Sequence, residues 1–241
     1  MESLEAELAR ARDLEVAALA DAIEAIGFEC TRCGACCTAN EVSAVPPEDA
    51  DEDGEGASTA APDREPHTAT VFPDEVRRLQ AADEGDPDWR DVARPMPYGL
   101  SEGADGPEGE TFEWALQTDA CGDCTFYAED DDGVGACTVH ADRPLICRTY
   151  PFSVALGGTS QPMGEAVDRE GMVRAHECEG LGRDITREAA EDLAAALKER
   201  AVRELEEAIG VRDEYAPADP GPGEVVVHDS EGAKRPDGTP R

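Results

Sequence analysis

The sequence contains very little lysine, few aromatic residues and no long apolar run. Only two of its 241 residues are lysines, Lys198 and Lys234, and aromatic residues make up 5% of the chain. No stretch approaches the roughly 18 apolar residues that a transmembrane helix needs, so a membrane-spanning role is not expected. The shortage of large apolar side chains predicts a thin core, to which crosslinks through metal would add stability.

Basic residues are scarce as a class. The chain has 56 Asp and Glu against 21 Lys and Arg, and its formal net charge is −35. Because no basic run or patch is visible, neither nucleic acid nor an anionic membrane is expected as a partner. An acidic surface with so few lysines is similar to those of proteins from extreme halophiles, in which high salt screens self-repulsion.

The first residues, MESLEAELARARDLEV, are acidic and lack the basic start and apolar stretch of a secretory signal. We therefore expect a cytoplasmic protein. In that compartment thiols stay reduced unless a metal holds them, so cysteines are interpreted as ligands before they are interpreted as disulfides.

Periodicity and composition divide the chain into two helices, a cysteine-rich centre and a tail. Apolar residues recur at helical spacing up to Gly27, which is placed to end the first helix. A second stripe predicts a helix that ends at Gly210. Acidic stretches rich in Gly and Pro are predicted to be solvated or disordered. Two exceptions are expected: packing against the core by Trp89, Met96, Tyr98 and Leu100, and a short ordered VVV stretch at 225–227 in the tail. The boundaries are 1–27 for the N-terminal helix, 28–182 for the cysteine-cluster domain, 46–66 and 83–110 for its acidic insertions, 183–210 for the C-terminal helix and 211–241 for the disordered tail.

Short strands are predicted between the two helices. Residues 111–118 alternate apolar and polar side chains, which indicates a half-buried strand. Residues 124–140 place an Asp/Gly turn between two short stretches, which is typical of a β-hairpin. The predicted fold class is α+β: a small, irregular, metal-stapled domain with a β-hairpin flanked by N- and C-terminal helices.

The chain has nine cysteines, and four of them fall within the octapeptide CTRCGACC, at Cys30, Cys33, Cys36 and Cys37. Two-residue intervals let a turning backbone place thiolates around one metal centre, as in ferredoxin cluster loops and zinc knuckles. Gly34 permits a positive φ and a close approach of backbone N–H groups to sulfur. The alternative is a set of free or disulfide-forming thiols, which the count and the compartment disfavour.

The adjacent pair, Cys36 and Cys37, needs a separate explanation. Neighbouring side chains point about 100° apart in a helix and to opposite faces in a strand. We therefore expect one of the two to turn towards a second centre, or towards the cysteines that come later in the chain.

The later cysteines are spaced less regularly. Cys124 and Cys137 lie at opposite ends of the predicted hairpin, whose pairing would bring them together, and Cys147 and Cys178 follow. With the first four they make eight, enough for two four-thiolate centres. Cys121 is the ninth; it could pair with Cys124 as a CxxC, and we treat it as surplus.

The order of these motifs resembles that of a known family. FECTRCGACCT, then CTFY and ACTVHADRPLICRTYPF, then HECEGLG look like the YkgJ-type cysteine-cluster family, also described as the CxxCxxCC zinc- or iron-chelating domain, in an acidic, haloarchaeal-type version. The resemblance runs from about Phe28 to Gly182. It implies an iron–sulfur cluster or Zn²⁺ held by eight cysteines. These are Cys30, Cys33, Cys36, Cys37, Cys124, Cys137, Cys147 and Cys178.

Four residues near these cysteines have two alternative roles each. Arg143 and Arg148 stand in the same motif block, and we expect their guanidinium groups to donate to thiolate sulfurs and offset the charge of the centre. Ordinary surface ion pairs are the alternative. His140 stands where the family commonly has an aromatic residue. A mixed Cys/His site using His140 or His176 is possible, but packing or solvent exposure is the commoner state of such histidines.

Three classes of function remain open. The first is a redox or electron-transfer accessory protein whose exposed iron–sulfur cluster meets a protein partner. The second is a structural-zinc interaction module, and the third is a group-transfer enzyme resembling flagellin lysine N-methylases, which carry a similar cluster. Four thiolates satisfy iron and zinc alike. The ferredoxin-like triple spacing favours iron–sulfur, and no catalytic group can be assigned.

Overall fold

The computed structural model describes residues 3–41, 64–82, 85–156, 166–168 and 171–241. Within these ranges, six α-helices and fourteen short strands in five small sheets confirm the α+β class. The helices are α1 (Leu4–Asp13), α2 (Val16–Ile26), α3 (Pro73–Ala82), α4 (Trp89–Val92), α5 (Leu145–Thr149) and α6 (Arg187–Glu214). None of the described helices is both long and apolar enough to cross a membrane.

The strands are mostly two to five residues long. They are β1 (Asn40–Glu41), β2 (Arg64–Glu65), β3 (Thr70–Val71), β4 (Ala93–Pro95), β5 (Leu100–Gly103), β6 (Gly106–Thr111), β7 (Trp114–Leu116), β8 (Tyr127–Glu129), β9 (Gly135–Cys137), β10 (Phe152–Val154), β11 (Ala166–Asp168), β12 (Val173–His176), β13 (Val225–Asp229) and β14 (Gly232–Lys234). The sheets have the orders β1-β2, β3-β7-β4, β14-β13-β6-β5, β8-β9 and β10-β12-β11.

The core is split into two apolar clusters. In the first, α1, α2 and α6 pack with β10 and β12 around residues such as Ile23, Phe152 and Leu197. In the second, α3, β3, β7 and β13 pack around residues such as Leu79 and Trp114. The chain passes from one cluster to the other through the octapeptide CTRCGACC, so the cysteines lie where the two halves of the core meet.

The N-terminal segment forms two helices rather than the single one expected. The break falls at Leu14, which takes a non-helical conformation (ψ 128°), and its N–H donates to the Ala11 carbonyl. The predicted end at Gly27 is confirmed: this residue has φ 77°, and its N–H donates to the Ile23 carbonyl at 2.8 Å. Positive φ is the conformation in which glycine ends helices without strain.

The hairpin is also confirmed, with β8 pairing antiparallel to β9. The predicted strand at 111–118 is shorter, since only Trp114–Leu116 pairs as β7, and Phe112 is exposed. The stretch 83–110 was expected to be a solvated insertion, and this is wrong for most of it. It contains α4, β4, β5 and most of β6, because Trp89, Val92 and Met96 supply enough apolar surface to pack. The expected packing of Trp89 and Met96 is confirmed, whereas Tyr98 is exposed. Of the insertion at 46–66, residues 46–63 lie outside the described residues.

The tail at 211–241, expected to be disordered, is folded. β13 pairs parallel to β6 and antiparallel to β14. Three consecutive valines, 225–227, are buried, and Asp229 accepts hydrogen bonds from the Trp114 indole N–H (2.8 Å) and the Lys234 ammonium (2.6 Å). The valine run and this buried polar anchor outweigh the Pro/Gly-rich composition on which the prediction rested.

The last helix does not end at Gly210. It continues to Glu214, and Gly210 serves a different purpose. A Cβ atom at this position would lie 2.5 Å from the Ser230 Cβ and 3.1 Å from its Cα, so the glycine lets α6 approach the turn between β13 and β14.

Gly210→Ala is expected to destabilise the protein by about 1–2 kcal/mol. Overpacking costs roughly 1–3 kcal/mol, and the gain in helix propensity recovers roughly 0.5–1 kcal/mol. Ser230→Gly in the same chain removes the opposing Cβ and should restore much of the loss. Urea denaturation in high KCl measures both variants. A Gly210→Ala protein that is more stable than the parent would contradict this packing.

The free energy of unfolding is also expected to depend on one ion pair of the tail. The Arg77 guanidinium donates to both carboxylate oxygens of Glu231 (3.1 and 2.5 Å) and, with Lys234, lowers the pKa of Glu231 to about 2. Since this pKa is below that of an ordinary glutamate, the contribution of Glu231 to the free energy of unfolding is complete above pH about 4.5. That contribution is lost as the pH falls towards 2.

The test compares Glu231→Gln with the parent from pH 7 to pH 2. The parent should be the more stable protein at neutral pH, and the difference should shrink to near zero by pH 2. Asp131→Asn, an exposed acid in the β8–β9 turn, is the control. A difference between parent and Glu231→Gln that stays constant over the whole range would contradict the assignment.

Candidate metal centre

The first cysteine loop is shaped by Gly34. This residue has φ 79°, as predicted, and its carbonyl accepts hydrogen bonds from the N–H groups of Cys37 (2.7 Å) and Thr38 (3.1 Å). Tyr127 occupies the space that a side chain at Gly34 would fill. Its hydroxyl oxygen lies 2.0 Å from the position that a Cβ on Gly34 would take. The loop therefore turns tightly against the aromatic ring of the hairpin.

Backbone hydrogen bonds join this loop to the hairpin. The N–H of Cys124 donates to the carbonyl of Cys37 at 2.8 Å, and the N–H of Gly135 donates to the carbonyl of Arg32 at 2.9 Å. Cys137 lies opposite Tyr127 in the β8–β9 register. The hairpin thereby brings Cys124 and Cys137 to the same loop, although they are distant from it in sequence.

A separate set of backbone contacts brings Cys178 to the start of the loop. The N–H of Glu29 donates to the Gly180 carbonyl at 3.0 Å, and the N–H of Gly180 donates to the Cys178 sulfur at 3.4 Å. A Cβ on Gly180 would lie 2.2 Å from the Glu29 carbonyl oxygen, so glycine is required for this approach. N–H donation to sulfur is the support that thiolate ligands commonly receive.

Cys147 is positioned by a buried carboxylate that the sequence did not identify. Glu75, 1% exposed, accepts hydrogen bonds from the N–H of Leu145 at the start of α5 (2.9 Å) and from the N–H of Phe72 (3.1 Å). Burial raises the pKa of Glu75. Among so many surface acids, nothing in the sequence distinguishes this one.

Cys36 lies at the centre of the thiols. Its pKa is raised, chiefly by the hydrogen bond with Cys37. Burial raises the pKa of Cys124 to about 11, and charges on Cys137 and Cys36 contribute. Burial also raises the pKa of Cys147, with contributions from the charges of Cys124, Cys36 and Cys137.

The pKa values of Cys137 and Cys178 also depend on Cys36. The pKa of Cys137 is raised by burial and also by the charge of Cys36. Burial raises the pKa of Cys178, and charges on Cys36, Cys33 and Cys30 add to this effect. Two groups of thiols can therefore be defined, one of Cys124, Cys137 and Cys147 and the other of Cys30, Cys33 and Cys178, and Cys36 affects pKa values in both. Their mutual repulsion is what a bound cation would relieve, so the donor chemistry fits a thiophilic metal.

The doublet is consistent with the expected turn towards the later cysteines, since the Cys37 carbonyl accepts the Cys124 N–H and Cys36 affects the pKa values of Cys124 and Cys147, but the two side chains do not diverge from each other. The sulfurs of Cys36 and Cys37 lie 3.7 Å apart. Two thiolates on one tetrahedral ion, with metal–sulfur bonds of about 2.3 Å, have their sulfurs about 3.8 Å apart. The turn at Gly34 holds the two side chains closer than regular helix or strand geometry would.

The cysteines lie near one another, but they do not form a complete metal site in this structure. Within the described ranges, no group of three or more Cys, His, Asp or Glu side chains already stands in an arrangement that could hold a metal ion. Cys30, Cys33 and Cys36 are exposed, whereas Cys124 is buried. Final closure of the ligands would accompany metal binding, as is common where metal affinity is coupled to folding.

The other predicted residues differ in their positions. The pKa values of Cys36 and Cys137 are raised overall, and the positive charge of Arg143 offsets part of this rise. The Arg143 guanidinium therefore lies near the thiols. Arg148 is exposed, and no described contact joins its side chain to a thiol. Cys121 is also exposed, and its N–H donates to Asp119 at 2.8 Å.

The two histidines are separated in the fold. His140 is exposed, and its pKa is lowered by the nearby charge of Arg143. His176 is buried, with its Nε2 2.9 Å from the Ser153 hydroxyl. Two tyrosines also lie near the thiols. Burial raises the pKa of Tyr150 to about 12 with contributions from Cys178 and Cys36, and Tyr127 packs on the loop.

Comparison with known sequences agrees with this arrangement. A family model named CxxCxxCC, described as "Putative zinc- or iron-chelating domain", matches residues 29–179, which is more than half of the chain and includes every cysteine. The chain belongs to the CxxCxxCC family. As a CxxCxxCC protein, it is a metal-binding protein of the zinc or iron class. Searches of curated proteins and of solved structures found no significant match.

Proposed function

We propose that this CxxCxxCC protein holds an iron–sulfur cluster at its eight clustered cysteines and exchanges electrons with a protein partner. The observation that supports the proposal is the grouping of thiols at the first loop: the Cys36 sulfur lies 3.7 Å from that of Cys37, and the Cys37 carbonyl accepts the N–H of Cys124 at 2.8 Å. A thiolate at Cys36 would raise the pKa values of Cys124, Cys147 and Cys178. A shared sulfur environment suits a polynuclear cluster, which spreads charge over several metal ions.

The surface position of the first loop supports a redox role. Cys30, Cys33 and Cys36 are exposed, so a cluster bound there would be accessible to a docking partner. Arg143 would offset part of the negative charge of the thiolates, since its positive charge already reaches Cys36 and Cys137. Net charge and solvent exposure are two of the factors that set the reduction potential of such clusters.

A structural zinc site is the second candidate. The 3.7 Å separation between the Cys36 and Cys37 sulfurs supports it, because two ligands of one tetrahedral zinc ion have this spacing. In that case the cysteines would form closed four-ligand sites, and the protein would act as an interaction module.

Anaerobic purification in high KCl, with elemental analysis, sulfide assay and a visible spectrum on one sample, separates the two. Iron with acid-labile sulfide, and an absorbance that bleaches reversibly on reduction, is the expected result. A colourless protein with one zinc per four cysteines would overturn the iron–sulfur proposal in favour of the zinc module. Stoichiometric free thiols with neither metal would overturn both.

A further inference from the structure

A second site lies apart from the cysteines, in a cavity of about 330 Å³ beside α6. Its lining includes four aromatic residues, Phe72, Tyr98, Phe112 and Trp114. In a chain with 5% aromatic residues, this is a marked concentration. The volume lies at the small end of the range for small-molecule sites.

Carboxylates line the same cavity, and no Lys or Arg is among its described lining residues. Glu204 is paired with Arg200 at 2.6 Å, and Asp229 with Lys234 at 2.6 Å. Glu207 differs: it accepts a hydrogen bond from the Ser230 N–H at 2.8 Å, and no ion pair reaches it in the described part of the chain. Negative charge therefore lines the cavity without full compensation.

The pKa values of Glu204 and Glu207 are both raised, as expected for acids that lack full charge compensation. Burial raises the pKa of Glu207, and the charge of Asp229 adds to this effect. Burial also raises the pKa of Glu204, despite its contact with Arg200. A positive charge in the cavity would stabilise the ionised form of both carboxylates.

Two aromatic rings at the cavity remain open to solvent. Tyr98 is 64% exposed and Phe112 is 46% exposed. Phe112 is held in place by ring contacts with Tyr215 (5.6 Å between centroids) and His228 (5.4 Å). An ordered, exposed aromatic surface beside half-buried acids is an arrangement that recognises cations bearing alkyl groups.

The Phe72 ring is already covered by the Arg203 guanidinium, 4.8 Å from its centroid. Trp114 is buried. Tyr98 and Phe112 are therefore the rings that a ligand can reach.

We propose that this cavity binds a small organic ammonium cation, with the Tyr98 and Phe112 rings beside its alkyl groups and the Glu207 carboxylate opposite its charge. Two of the elements that line the cavity, α6 and β13, lie beyond residue 179, where the family match ends. The site is therefore a property of this chain beyond its metal-binding domain. It does not depend on which metal the cysteines hold.

The test uses the full-length, metal-loaded protein in constant high KCl, titrated with three probes of similar shape: tetramethylammonium, neutral tert-butanol and anionic pivalate. Tryptophan fluorescence is a direct readout, because Trp114 lines the cavity and the only other tryptophan, Trp89, is 5.0 Å from it. Tetramethylammonium is expected to bind at least tenfold more tightly than tert-butanol, with no binding of pivalate.

Glu207→Gln should weaken tetramethylammonium binding by about tenfold or more, since it removes one charge at contact distance. Glu206→Gln is the matched control: it is the next residue of α6, but its carboxylate pairs with Arg12 at 2.8 Å. Phe112→Ala, at an exposed position, should weaken binding without unfolding the protein, which circular dichroism checks.

Equal affinity for tetramethylammonium and tert-butanol would overturn the proposal, because the site would then be only apolar. Equal effects of Glu207→Gln and Glu206→Gln would also overturn it, because the charge would then act only through the overall field. Absence of any binding in a folded protein would do the same, whatever metal the protein holds.

Discussion

Cys36→Ser is expected to lose bound metal more completely than a substitution at any other cysteine. Cys36 contacts Cys37 at 3.7 Å, and its charge acts on Cys124, Cys147 and Cys178, which lie in both groups of thiols. If a four-ligand site provides roughly 10–16 kcal/mol, one ligand contributes roughly 3 kcal/mol, or more than 100-fold in affinity.

Two further cysteine variants serve as controls for this prediction. Cys121→Ser removes the exposed thiol that lies outside both groups, and it should retain full metal content. Cys178→Ser removes a thiol of one group only, so this variant should lose only part of its bound metal. Metal per chain after anaerobic purification, and chelator competition, measure all three. Metal content in Cys36→Ser equal to that in Cys121→Ser would contradict the central position of Cys36.

Gly34→Ala is expected to destabilise the protein by about 2–5 kcal/mol and to lower its metal content. The φ of 79° disfavours any residue with a Cβ, at a cost of roughly 1–2 kcal/mol. The new Cβ would also lie 2.0 Å from the Tyr127 hydroxyl, which adds an overpacking cost of roughly 1–3 kcal/mol. The ring cannot easily move, because its hydroxyl donates to Glu129 at 2.6 Å and it packs against Gly135.

The control for Gly34→Ala is Gly133→Ala. Gly133 has φ 76°, nearly the same backbone conformation, but a Cβ there would meet nothing within 4 Å. It should show the backbone cost alone and keep its metal. Tyr127→Ala in the Gly34→Ala chain should recover part of the lost metal binding. If both glycine variants lose equal stability and metal, the contact with Tyr127 has no role.

Much of the fold could be predicted from local patterns. Gly27 and the stripe of α6 followed helical periodicity, and the hairpin followed from an Asp/Gly turn between short strands. The failures at 83–110 and 211–241 share one cause: composition was used where packing decides. Trp89, Met96 and the valines at 225–227 are few, but they are buried, and their segments are ordered despite many Gly, Pro and acidic residues.

The metal-binding role of the protein could be predicted from local sequence alone. Cysteine count, two-residue spacing and motif order identify the family and its class of metal, because thiolate ligation depends on residue type and local spacing. Only the tertiary structure decided how the thiols are grouped and what supports them. Cys124 reaches Cys37 through a backbone hydrogen bond, and Glu75 holds the helix of Cys147 from 70 residues away in sequence. Such contacts arise from packing between distant segments, which local sequence patterns do not encode.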